Sequence, residues 1–147
     1  MNTQMRGSQT SHGRLPLSTQ HWLTERAFRQ GDVPAVRRFT QAFGARTGIA
    51  AARLADFVLA VSEATACTTA VGPCTPRVRL WLSGPRAFCE VRGNGMLLQR
   101  SARGTQPYGR YGEEEAMRRS VLKQLSDYVC VASGPDGMRV LLSMRVA

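Results

Sequence analysis

Lysine is almost missing from this chain: nineteen of its twenty basic residues are arginine, and Lys123 is the exception. A bias of that kind is the mark of GC-rich coding rather than of a binding device, so it does not by itself argue for nucleic acid. No apolar run approaches the roughly 20 residues that a membrane-spanning helix needs, which excludes an integral helical membrane protein. The four cysteines, Cys67, Cys74, Cys89 and Cys130, lack the paired spacing of a zinc site, and His12 and His21 have no second ligand at metal spacing. No metal is therefore expected. With no secretory signal ahead of these thiols, the expected compartment is a reducing cytoplasm. Acids are also few, ten against twenty bases, leaving a net charge of +10 and a pI near 10.9. That excess suits an anionic partner, whether nucleic acid, lipid headgroups or an acidic protein face, and says nothing about fold.

What is present is enough for one core. The 147 residues are 43% hydrophobic, the size and composition of a single domain. Residues 1 to 16 are polar and punctuated by Gly7, Gly13 and Pro16, which predicts a flexible tail ahead of one domain over 17–147. His21 to Arg29 fits a half-exposed strand. Asp32 is an N-cap candidate with Pro34 in the first turn, and Val36, Phe39 and Phe43 recur at helical spacing until Gly48. Ala50 to Val71 carries the apolar stripe Leu54, Phe57, Val58, Val61 and Thr65, with Asp56, Leu59, Ala60, Glu63 and Cys67 opposite, so this helix is expected to be covered on more than one side.

Pro76 to Ser83 and Arg86 to Arg92 alternate about Gly84-Pro85 and predict a hairpin. Residues 93 to 112, with five glycines, read as a long loop. Glu113 to Ser126 resumes helical spacing, its three leading glutamates favouring the helix dipole. Tyr128 to Ala132 and Met138 to Arg145 then flank a turn at 133–137. This order predicts an α+β fold: a two-layer sandwich with helices on one face of a mixed, mostly antiparallel sheet.

Leu54 to Gly72, LADFVLAVSEATACTTAVG, resembles the nucleotide-binding helix of the GHKL (histidine kinase-like) ATPase superfamily, in particular its anti-sigma-factor serine kinases. Leu59-Ala60-Val61-Ser62-Glu63-Ala64 is the most specific match. Val33 to Phe39, Arg86 to Gly95 and Leu122 to Val146 are similar to further parts of that domain. The resemblance implies an ATP and Mg2+ site. A carboxylate and an amide four residues apart share one helix face, the first to orient a nucleophile and the second to help hold Mg2+.

Glu63 keeps the carboxylate as a vestigial base, but the amide position is Cys67, a soft ligand ill suited to Mg2+. The family's D-x-G-x-G box falls on Gly93-Asn94-Gly95-Met96-Leu97, which lacks the Asp that accepts from the adenine amine. Where the resemblance implies a glycine-rich phosphate loop, Glu114 to Arg119 stand instead. Glu113, Glu114 and Glu115 would repel phosphates there by about 1 to 4 kcal/mol for each pair of like charges.

The expectation is therefore a non-catalytic pseudo-kinase without ATP or Mg2+, a regulatory module binding a sigma factor or anti-anti-sigma protein, and a homodimer. Arg37, Arg38, Phe39 and Phe43 on the first predicted helix, with Trp81 on the arginine-bearing side of its strand, are the candidate contact residues. Two alternatives stay open: an active Mg-ATP-dependent serine kinase working through Glu63, and a basic nucleic-acid-binding protein. Glu63 can equally be a helix carboxylate paired with an arginine, and Cys67 a small buried hydrophobe.

Overall fold

The computed structural model describes residues 23–69, 75–93, 108–134 and 137–146. The expected tail over 1–16, His12, His21, Cys74, Asn94 and Gly95 lie outside them. The elements run β1 (Thr24–Ala27), α1 (Val33–Thr47), α2 (Ala51–Thr68), β2 (Arg77–Ser83), β3 (Arg86–Arg92), α3 (Tyr108–Leu125), β4 (Tyr128–Gly134) and β5 (Gly137–Arg145). The five strands form one antiparallel sheet in the order β1-β2-β3-β5-β4. The predicted two-layer α+β sandwich is the architecture observed.

Local chemistry explains the element ends. Asp32 caps α1 by accepting from the Ala35 amide at 3.2 Å, and Gly48 closes it at φ 78°, a left-handed conformation open to glycine. Gly84, at φ 61°, starts the two-residue turn that pairs Ser83 with Arg86.

Alternation along the strands divides the sheet into two faces. Val78, Leu80, Ala87, Cys89, Val91, Val140, Leu142 and Met144 point to the helices and are wholly buried. Against them α2 sets Phe57, Ala60, Val61, Ala64 and Cys67, likewise without exposed surface. Three small residues in that set let the helix axis lie close to β3 and β5. α1 and α3 then flank α2 on either side, so the expectation of a helix covered on more than one side is met. The α1 contact is close: Gly44 has no room for a Cβ beside the Leu54 side chain of α2.

The second hairpin pairs through Gly134 and Gly137, inside the expected turn, and α2 ends at Thr68 rather than Val71, but two other elements differ most from those read in the sequence. β1 is four residues long, shorter than the segment from His21 to Arg29. α3 begins at Tyr108, inside the stretch expected to be loop, and takes Gly109 and Gly112 into its first turns. A helical glycine costs only about 1 kcal/mol relative to alanine, which a helix already propagating through its neighbours tolerates. Glu113, Glu114 and Glu115 consequently follow the first turn, where the macrodipole is weaker than the expected N-terminal placement assumed.

Phe57 is the largest α2 side chain in the core and stacks obliquely on Phe43, ring centroids 6.2 Å apart. Phe57→Ala is expected to lower unfolding free energy by about 3–5 kcal/mol, measured as a fall in urea midpoint at unchanged slope.

Candidate functional site

The carboxyl-terminal half of α2, the end of β3 and the facing side of α3 meet where the nucleotide chemistry was expected. Glu63 turns toward α3. Its Oε1 lies 3.7 Å from Nη1 of Arg118, and the two side chains are 27% and 33% exposed. At that distance and exposure the attraction is worth less than about 1 kcal/mol. It nevertheless gives the carboxylate a cationic neighbour supplied by the protein. Arg118 Nε is buried and makes no hydrogen bond among the described residues.

Cys67, one turn further along α2, turns to the sheet instead. It is fully buried, with its Sγ 3.8 Å from Sδ of Met138 at the start of β5. The position at which the resemblance implies a metal-binding amide is thus a packing position of the core. Cys89, on β3, is also wholly buried. Burial first, and the charge of neighbouring Glu90 second, push its thiol far above the ordinary range, so it is an inert hydrophobe in the fold.

Gly93 closes the third side. Its amide donates to the Met138 carbonyl at 2.9 Å. A Cβ built there would stand 2.8 Å from the Thr68 carbonyl oxygen and 3.2 Å from the Thr68 Cβ. The first position of the expected adenine-binding box therefore abuts the last turn of α2, and a side chain of any size would have to displace backbone. The nearby hydroxyls are turned back into their own helix: Thr65 donates to the Val61 carbonyl at 2.8 Å and Thr68 to that of Thr65 at 2.8 Å.

The described side chains thus offer one carboxylate already facing an arginine, a buried soft thiol and a glycine without space around it. This set does not fit Mg2+, which takes oxygen ligands. Among the described residues no three His, Cys, Asp or Glu side chains cluster at metal-binding distance. On the other flank of α2, Arg29, Asp32, Val36, Ser62 and Thr65 line a cavity of about 80 Å³ beneath the start of α1.

The candidate contact residues separate into two groups. Arg37 and Arg38 are exposed on α1, and Arg37 is steadied by its Nε donating to Ser62 Oγ at 3.3 Å. Phe39 is half-buried and meets Phe28 edge-on at 5.3 Å. Phe43 is a correction: it is wholly buried against Phe57 and belongs to the core, because its position on α1 faces α2. Trp81 lies elsewhere, on the sheet face away from the helices, stacked on Phe88 at 5.2 Å with planes 7° apart. The sequence reading overlooked Phe88 and Glu90 as part of that surface. The signal was available, since the predicted Gly84-Pro85 turn sets Trp81 opposite Phe88 and Arg79 opposite Glu90.

No family model matches the chain, and no curated protein matches it. Among solved structures it is similar to the RsbU and RsbW domains of Rv1364c from Mycobacterium tuberculosis, with a TM-score of 0.63 over 84% of this chain at 17% identity. The likeness establishes the fold. This chain spans about a third of that protein, 32% of its length. Also, among the described residues, no helix is long and apolar enough to cross a membrane.

The close approach at Gly93 is directly testable. Gly93→Asp, which restores the acid implied by the resemblance, is expected to destabilise the fold by about 1–3 kcal/mol, with a lowered thermal midpoint. Unchanged stability would show that the end of β3 has room for a side chain.

Proposed function

We propose that this domain is a regulatory protein-binding module resembling an anti-sigma factor, and that it acts without the ATP chemistry of the kinases it resembles. The observation that carries the reading is the contact of Gly93 with Thr68. It fills, with the protein's own backbone, space that a base-recognising side chain would need. Cys67 packed under Met138 and Glu63 facing Arg118 support it from two further directions. The fold's likeness to a structure containing an RsbW domain, and the LAVSEA match within α2, support placing the partner in sigma-factor regulation.

In this reading the partner is a sigma factor or an anti-anti-sigma protein, held through the outer surface of α1, where Arg37 and Arg38 are exposed. The module acts as a homodimer in the cytoplasm, needs neither ATP nor Mg2+, and holds its partner by surface complementarity. Excess positive charge speeds encounter with an acidic partner more than it deepens affinity.

Calorimetric titration with Mg-ATP is the test. The expected result is no saturable heat up to about 1 mM nucleotide, a limit of about −4 kcal/mol of binding free energy. The same result is expected for Cys67→Asn, because the substituted amide would lie inside the core. Saturable binding in the low micromolar range, with transfer of phosphate to a serine of a bound protein, would make the domain an active kinase and overturn the reading.

A further inference from the structure

The sheet face away from the helices carries a charge pattern that core formation does not explain. Arg77, Arg92 and Arg139 stand directly opposite one another on β2, β3 and β5, through the pairs Arg77↔Arg92 and Arg92↔Arg139. Like charges directly opposite in a sheet are destabilising. One row deeper, Glu90 is shared by three guanidinium groups, Arg79 at 3.5 Å, Arg92 at 3.7 Å and Arg139 at 3.5 Å. Glu25 on β1 meets Arg77 at 3.2 Å and Arg79 at 3.9 Å. Two carboxylates thus serve four arginines. Arg77, Arg92 and Arg139 keep 55%, 60% and 49% of their side-chain surface in solvent.

From this juxtaposition we infer that the open sheet face, centred on the Arg77-Arg92-Arg139 row and bordered by Trp81 and Phe88, is a docking surface for an acidic polypeptide segment. The inference rests on the protein-binding reading above and adds a second face, with the chemistry of what it holds. Guanidinium forks in a row match carboxylates in bidentate geometry. The two longest undescribed stretches supply no such occupant, since residues 1–22 and 94–107 contain neither Asp nor Glu. A second copy presenting the same face would set arginine against arginine. Single-stranded nucleic acid fits less well, because it binds by stacking bases on free aromatic faces. Here the Trp81 ring is engaged by Phe88 at 5.2 Å and by the Arg79 guanidinium at 5.8 Å.

The test is fluorescence-anisotropy titration with a labelled alternating Glu-Asp peptide of about twelve residues, its Gln-Asn counterpart and an oligothymidylate of similar charge, at about 50 and about 300 mM NaCl. The full chain is compared with Arg77→Glu/Arg139→Glu, with single Arg92→Glu, and with Arg46→Glu/Lys123→Glu. The last pair makes the same net-charge change at two exposed helix ends. The expected result is binding of the acidic peptide that weakens at least about tenfold in both face variants, survives in the helix-end variant and fades with salt. Absence of peptide binding at low salt, or equal loss in the face and helix-end variants, overturns the inference. So does tighter binding of oligothymidylate to the same face, or self-association of the protein alone that Arg92→Glu abolishes in sedimentation. Failure here with partner binding through α1 intact would leave the proposed function standing, while loss of both would remove the shared protein-binding ground.

Discussion

The contact between the last turns of α2 and the middle of the sheet is the constraint on which the molecule's arrangement depends. Ala60, Ala64 and Cys67 present little bulk, so α2 lies low over β3 and β5, and Met138 covers the thiol. That low seat brings Thr68 against Gly93. It also fixes the flanking helices, because α1 reaches α2 at Gly44 and α3 reaches it at Glu63. A bulkier residue at any of the three small positions would lift the helix from the sheet.

The same constraint accounts for the division of labour between surfaces. A nucleotide site of the kind implied by the resemblance needs side chains that project from α2 and β3 into open space. Here those positions are spent on packing, on an ion pair and on a close backbone approach. Charge that has no task in the interior is left on the outside. Arg37 and Arg38 lie on α1, while Arg77, Arg92 and Arg139 line up across the open sheet, where their mutual repulsion is only partly offset by Glu25 and Glu90.

Much of the fold was legible because local chemistry and periodicity agree. Asp32 and Gly48 mark the ends of α1, Gly84 marks the first hairpin, and the strict alternation of β2 and β3 separates Val78, Leu80, Cys89 and Val91 from Arg79, Trp81 and Glu90. The start of α3 was not legible, since Gly109 and Gly112 read as loop residues and only neighbouring helix propagation keeps them helical. Phe43 was misplaced for a related reason: a helical stripe identifies an apolar face but not which of its members a neighbouring helix will cover. The site was half legible. The departure from the amide and acid that the resemblance implies is visible in the residue types at Cys67 and Gly93, whereas Arg118 as the neighbour of Glu63, and Thr68 as the neighbour of Gly93, depend on how separate elements pack and have no local signal.

The most direct test of the proposal that the packing of α2 against β3 leaves no room for a nucleotide is amide NMR of the labelled chain with Mg-ATP added. The account predicts that the resonances of Glu63, Cys67, Thr68 and Gly93 keep their positions at millimolar nucleotide. Saturable shifts concentrated on those four residues would contradict it.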